Sequence, residues 1–540
     1  QPQGSALSEE QRTQVAEYIS GRKLGASAAQ TALNMCSGQA ARFDMYEPPA
    51  FTGWGLDPEN SHAVTAKNAG ISQANLPRLR LKWAFGMPNS SRMRSQPAVA
   101  GGAILVGNHN GTVYTLDRET GCVRWAFAAQ SEVRTGIVVS PWRKGDRRAR
   151  PLVHFGDTMG NVYAVNLLDG TLAWKERADR HPATIITGTP VLWRGDLYVP
   201  TSSNEEAFAT NPSYPCCDFR GAIVRFDART GRETGRVFQV GEPREQGVSA
   251  DGTAKFGPSG VAVWNSPAID RKRKRLVYAT GDNYSLPATG YSDAVMAMDI
   301  PVMVERWAYQ ATEGDAWNVA CVTKTSDSCP DENAPDFDFG AGVVIAKGKD
   351  GHTLVLAGQK SGWVFAIDPD TGRPVWKTRV GRGSPAGGVH FGMAAANGLL
   401  YVPVSDHFLF GPADFPASPG LYALDIATGA FVWKQPSPVT KCESMVCHPG
   451  YGGVPTVAGG MVFIGSDTGH LRVFDAVSGK LLREEETARA FETVNGVAAH
   501  GGAISGGVAP IVYKGNVIVP SGYGYASKLT GNVLLVYGVE

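Results

Sequence analysis

Thr115 to Trp125 reads TLDRETGCVRW, and the same phrase returns as AVNLLDGTLAW (Ala164 to Trp174), AIDPDTGRPVW (Ala366 to Trp376) and ALDIATGAFVW (Ala423 to Trp433). Weaker copies stand at RFDARTGRETG (Arg225 to Gly235), AMDIPVMVERW (Ala297 to Trp307) and VFDAVSGKLL (Val473 to Leu482). A phrase that repeats every few tens of residues marks an array of like units rather than a single-core fold. Each copy reads as a β-hairpin. An alternating apolar run makes one strand, Asp-x-x-Thr-Gly supplies the turn, and the run ending in Trp makes the next strand.

The two ends of the chain look like one further unit cut open. Val533 to Glu540 (VLLVYGVE) has a strand pattern with no Trp after it, and Leu81 to Phe85 (LKWAF) has a Trp with no turn before it. Seven internal repeats and one shared by the termini predict an all-β, eight-bladed β-propeller over 76–540. A short N-terminal extension with one helix precedes it over 1–75. Ring closure leaves few strand edges open.

Composition fits this reading and excludes others. The 540 residues include 65 Gly and 34 Pro, as a turn-dense β fold requires. With 51 basic and 50 acidic residues the net charge is +1, so no global field draws the chain to nucleic acid. The basic runs at Arg147 to Arg150 and Arg271 to Arg275 read as solvated turns. No segment is apolar for the ~20 residues a membrane span needs.

Eight cysteines fall into suggestive pairs: Cys216 with Cys217, Cys321 with Cys329, Cys442 with Cys447, and by remainder Cys36 with Cys122. An even count at close spacing favours disulfides and an oxidising compartment such as the periplasm. Cys442, Cys447 and His448 loosely resemble a c-type haem attachment run, but the spacer is four residues where two are usual.

The repeats are unevenly spaced. Successive anchors Asp117, Asn166, Asp227, Asp299, Asp368, Asp425 and Asp475 are separated by 49, 61, 72, 69, 57 and 50 residues. The middle units therefore carry inserted loops, and long loops on a rigid ring are where binding residues concentrate. These insertions hold Glu205, the Cys216-Cys217 pair, Trp264, Asp282-Asn283, Asp315, and the run DFDFG with Asp336 and Asp338.

In this order the residues resemble the quinoprotein alcohol dehydrogenases that use pyrroloquinoline quinone (PQQ), most closely their polyvinyl alcohol dehydrogenase branch, over about residues 45 to 540. The resemblance implies a calcium ion held by hard oxygen ligands beside the quinone. It assigns Glu205 in TSSNEE as a metal ligand, with Asp282 or Asn283 in ATGDN as another. Thr187 and Ser202 take cofactor-contact positions, Trp264 is the flat floor under the quinone, and Cys216-Cys217 is a vicinal disulfide over its other face. Lys360 in GQKSG and Arg134 in EVRTG become cations for the quinone oxygens and carboxylates.

For the catalytic base the family expects an Asp after Trp, but GDAWN puts the amide Asn318 there. DFDFGAG aligns better, which ranks Asp338 first as base and metal neighbour, Asp336 second and Asp315 third. The alternative register, with Asp336 as base and Asp338 two residues on, resembles lanthanide-using relatives; calcium remains the favoured metal. The activity implied is oxidation of a secondary alcohol to a ketone, with polyvinyl alcohol as substrate and a separate cytochrome c as acceptor. No Cys-x-x-Cys-His occurs, so no haem is expected in this chain. The rival readings are a dehydrogenase for another alcohol or a sugar, and a scaffold propeller without a cofactor.

Before the ring, LSEEQRTQVAEYISGRKLG reads as a helix capped by Ser8 and Gln11, with Val15, Tyr18 and Ile19 on one face and Gly21 as its stop. It is similar to the last helix of a cytochrome c domain, and equally to an ordinary packing helix.

Overall fold

The computed structural model describes residues 8–20, 33–51, 53–331, 333–408, 411–439, 441, 448–525 and 528–539. The side chains of Val15, Tyr18 and Ile19, and the residues Gly21, Cys442 and Cys447, lie outside the described part. Eight four-stranded antiparallel sheets are arranged in chain order as blades 1 to 8, and blade 7 gains a fifth, parallel strand, Ala63–Val64. Blades 1 to 7 run over 98–128, 138–177, 191–238, 268–310, 344–379, 394–436 and 456–486. Blade 8 joins the termini: strand Leu79–Gly86 pairs antiparallel with Thr530–Val539 and supplies the outer edge of a sheet begun at Ile511. The eight-bladed ring and its closure are as the sequence predicts.

The repeated phrase is the device that joins one blade to the next. In blade 1, Asp117 Oδ1 accepts hydrogen bonds from the Glu119 and Thr120 N–H groups and the Thr120 hydroxyl. That closes the turn and leaves Gly121 at φ +71°, a conformation glycine adopts without cost. The bare glycine is the seat for the Trp of the preceding blade. A Cβ on Gly121 would come within 2.9 Å of the Trp83 ring, whose indole N–H donates to Arg118 O at 3.1 Å. The same pairing recurs as Trp125 on Gly170, Trp174 on Gly231, Trp307 on Gly372, Trp376 on Gly429 and Trp433 on Gly479.

At the two remaining joints both halves change together. In blade 3 the Trp position, opposite Arg225, holds Gly235, and the facing turn of blade 4 offers Met303 in place of glycine, its sulfur against Gly235. In blade 7 that position, opposite Val473, holds Arg483, which donates to Leu79 O in the closing strand at 2.8 Å. Between joints the blades bury apolar faces against each other, as Val344, Leu356 and Val364 do against Leu400, Val402 and Leu424.

The segment 53–64 closes one end of the ring axis. Its carbonyls at Pro58, Glu59, Ser61 and His62 accept from Ile269, Ile345, Ala395 and Val457 on the inner strands of blades 4, 5, 6 and 7 in turn. Asn60 fastens the same stretch to Ser266, Pro267 and Val343 carbonyls, and Trp54 lies across the axis with its N–H on Gly507 O. Further upstream, helix Glu9–Ser20 begins with a reciprocal cap between Ser8 and Gln11, as its sequence predicts. Disulfides join Cys36 to Cys122, Cys216 to Cys217 and Cys321 to Cys329. Among the described residues no helix is long and apolar enough to cross a membrane.

Candidate active site

An antiparallel blade sends its second-to-third-strand turn and its exit to the next blade to the same end of the ring. The far end receives the Asp-x-x-Thr-Gly turns. All the unusual residues come from the first set, so they converge over the axis opposite the 53–64 segment. There they line a cavity of about 340 Å³. A larger hollow of about 680 Å³ lies at the other end, between blades 2 and 3, lined by Trp142, Trp193 and turn residues such as Arg194 and Arg229. Among the described residues it holds no group of converging acids, which makes the smaller cavity the candidate site.

Among the described residues four carboxylates line the cavity: Glu206, Asp282, Asp336 and Asp338. Oxygens of Asp282, Asp336 and Asp338 lie within 4.8 Å of one another. Three cations, Arg134, Lys360 and Lys528, face the same space, with Trp264, Tyr284, Trp317, His390, Phe391, Tyr523 and Tyr525 as its aromatic walls.

The hydrogen bonds distinguish the carboxylates. Asp338 is held on every side: Oδ1 accepts the Asp282 N–H at 2.8 Å, and Oδ2 accepts the Trp264 indole N–H at 3.1 Å and the Lys360 ammonium at 2.9 Å. Asp336, at φ +53°, receives Lys360 on Oδ1 at 2.6 Å. Asp282 keeps a buried oxygen, Oδ2, with no partner. Burial and the neighbouring carboxylates raise the pKa of Asp282 and Asp336 well above the ordinary range, although Lys360 opposes this at Asp336. Glu206 is pushed up to about 7, first by burial and then by Asp338, with Lys360 pulling the other way. Four acids that cannot shed their mutual repulsion into water call for a cation.

The backbone is cut to fit these side chains. A Cβ on Gly281 would come 2.8 Å from Asp338 Oδ1, and one on Gly340 would come 2.1 Å from the Trp264 ring. The glycines of ATGDN and DFDFG thus let the strands approach the indole edge. Thr187 Oγ1 donates to Trp264 O at 3.0 Å, and His390 and Phe391 meet the ring edge-on at 5.9 and 6.3 Å. The His390 imidazole is driven well below its usual range by burial and by Lys360, Lys528 and Arg134, so it is neutral.

Of the residues singled out in the sequence, Arg134, Thr187, Ser202, Trp264, Asp282, Asp336, Asp338 and Lys360 line the cavity. Asn283 does not: its side chain binds Ser259 O and Thr289 beneath the wall. Asp315 stands behind the site and accepts the Phe337 N–H at 2.9 Å. Cys216-Cys217 is buried in an apolar group with Ala262 and Tyr284, both cavity-lining, and Trp264 packs against that group. Glu205 is fully buried and turned away; its neighbour Glu206 faces the cavity. Consecutive helical residues point about 100° apart, so only one of the pair can face inward, and the sequence does not say which. Lys528 and Tyr523 come from blade 8 and His390 from the connection between blades 5 and 6, and no sequence feature marked them.

Residues 54–390 match the family model described as glucose/ethanol/alcohol dehydrogenase, beta-propeller domain, and 360–535 match that described as outer membrane protein assembly factor BamB. A polyvinylalcohol dehydrogenase of a Pseudomonas species is 36% identical over the whole of this chain and 87% of its own length. The chain belongs to the PQQ-dependent dehydrogenase family. A second polyvinylalcohol dehydrogenase, from Sphingopyxis sp. strain 113P3, is 34% identical over 94% of this chain and 79% of its own. Among solved structures, the quinohemoprotein alcohol dehydrogenase of Comamonas testosteroni superposes with a TM-score of 0.66 at 19% identity, over 95% of this chain and 83% of that one. It shares the fold. Membership sets aside the cofactor-free scaffold reading.

Proposed function

We propose that the chain oxidises secondary alcohol groups to ketones with PQQ and calcium bound in the axial cavity, acts on polyvinyl alcohol, and passes electrons to a cytochrome c in the periplasm. The observation that carries this is the meeting, in one cavity, of four acids, three cations and a flat indole on a member of the PQQ family. The lining fits both groups. Asp282, with its unpartnered buried oxygen, together with Glu206 offers the hard anionic oxygens calcium takes. Trp264 offers a planar wall, and Arg134, Lys360 and Lys528 offer positive charge to a planar tricarboxylate.

When bound, the quinone would supply the hydride acceptor and calcium a Lewis acid beside it. The chain's own residues do the rest. Asp336 is the base in this scheme, because Lys360 binds its Oδ1 and leaves the other oxygen free to take the proton. Asp338, gripped by Asp282, Trp264 and Lys360, holds the indole and ammonium in place. Lys360 sits between the two acids and stabilises negative charge as the hydroxyl proton moves to Asp336. This reverses the order in which the sequence alone ranks the two acids. The two polyvinylalcohol dehydrogenases, similar over nearly the whole chain, support the polymer as substrate, and the disulfides support an oxidising compartment.

The test is turnover of purified protein on polyvinyl alcohol and on short secondary alcohols, with a dye or cytochrome c as acceptor. Activity should vanish on chelation and return with calcium plus PQQ. Activity that survives removal of every divalent ion refutes the metal assignment.

A further inference from the structure

Glu205 and Glu206 are neighbours at the head of the helix Glu205–Phe208, yet their side chains serve different partners. Glu206 lines the cavity. Glu205, with no exposed surface, reaches the opposite way and takes hold of the segment carrying the vicinal disulfide. Its Oε1 accepts the Asp218 N–H at 2.9 Å and the Tyr214 hydroxyl at 3.1 Å, and its Oε2 accepts the Phe219 N–H at 2.9 Å. Tyr214 stands before Cys216-Cys217; Asp218 and Phe219 stand after it. One carboxylate therefore grips both flanks of the disulfide.

A second pair closes the arrangement. His181 Nδ1 accepts the Ala183 N–H at 3.2 Å, so its other nitrogen carries the proton and donates to Asp218 Oδ1 at 2.9 Å, with Glu205 Oε1 3.7 Å away. On the inner side, Cys216 and Cys217 pack with Ala262 and Tyr284, which line the cavity. A buried carboxylate is costly unless its lone pairs are filled, and here the three donors that fill them, from Tyr214, Asp218 and Phe219, all belong to the disulfide segment.

We infer that Glu205 is a positioning residue that fixes the Cys216-Cys217 segment against the cavity wall and so sets the fit of the quinone, while Glu206 faces the ion. This rests on the cofactor reading above.

The test compares Glu205→Gln, which keeps the shape but turns an amide N–H₂ toward backbone donors, with Glu206→Gln. In cofactor-free protein, the rate at which mild thiol reductant opens Cys216-Cys217, followed by alkylation and mass mapping, should rise about tenfold in Glu205→Gln, with Cys36-Cys122 unchanged as an internal control. This readout needs no quinone, so its failure is told apart from a failure of the cofactor reading. In quinone titrations Glu205→Gln should weaken PQQ affinity about tenfold and leave the calcium requirement at saturating quinone unaltered, whereas Glu206→Gln should shift the calcium requirement. The quinone effects of Glu205→Gln and of Cys216→Ala/Cys217→Ala should be strongly non-additive; if the alanine pair does not fold, reduced wild type takes its place. Reduction at the wild-type rate, additive effects, or a calcium shift matching Glu206→Gln each overturn the assignment.

Discussion

The two ends of the ring axis are built on opposite rules. At one end the turns repeat: a glycine seat and a Trp from the neighbouring blade recur at six joints with nearly the same indole hydrogen bond, and five of the six turns carry the Asp cap, Asn166 standing at the sixth. At the other end Glu206, Asp282, the Asp336–Asp338 pair and Lys360 come from four different loops of blades 3, 4 and 5. The first end stabilises the ring. The second spends that rigidity on holding like charges together, which a flexible scaffold would relax.

If this division is right, damage at each end has separable consequences. Trp433→Ala removes a buried indole, its hydrogen bond to Ala476 O and its seat on Gly479. It should cost roughly 3–5 kcal/mol of stability, seen as an earlier denaturation midpoint, while quinone affinity of the folded protein stays unchanged. A parallel loss of affinity would show that the two ends are coupled.

At the chemical end, Asp336→Asn should lower kcat by on the order of a hundredfold or more with the fold and quinone uptake intact. Asp338→Asn should instead disturb Trp264 and Lys360 and weaken uptake. Stopped-flow reduction of the bound quinone separates the two. Retained chemistry in Asp336→Asn with none in Asp338→Asn would return the base to Asp338.

The smallest effect concerns pH. Glu206 is raised from 4.5 to about 7, so without metal the folded state binds a proton more tightly than the unfolded chain does. That contribution is favourable below about 4.5 and is lost as pH rises toward about 7. His181, raised by its bond to Asp218 against the effect of burial, adds loss in the same direction. Metal-free protein should therefore melt a few degrees lower at pH 8 than at pH 5, and calcium should narrow the gap. Melting curves with and without chelator measure this; a gap that calcium widens would contradict the acid cluster as the metal's seat.

The same contrast explains what the sequence could reveal. The repeating end was readable because one local rule, a capped turn with a glycine for the next Trp, is imposed at joint after joint. Even its exceptions are paired, as at Gly235 with Met303. The split blade was readable because Trp83 lacked its turn and Val533 to Val539 lacked its Trp. At the irregular end, residue types suggested the chemistry, but direction did not follow from type. TSSNEE contains two acids, and only the packing of the disulfide segment decides that Glu205 turns away. Asn283 was as plausible as Asp282 until Ser259 and Thr289 claimed it. Lys528 reaches the cavity from blade 8, where nothing in its local sequence announces a ligand contact.

The central claim is that the irregular end is one preformed site for quinone and calcium. It is tested most directly by titrating metal-depleted, cofactor-free protein with PQQ and following tryptophan fluorescence, with and without calcium, in wild type and in Gly340→Ala, whose Cβ would strike Trp264. The account predicts saturable uptake of one quinone per chain that calcium tightens, and loss of that uptake in Gly340→Ala without loss of the folded ring. Quinone binding indifferent to both calcium and Gly340→Ala would contradict it.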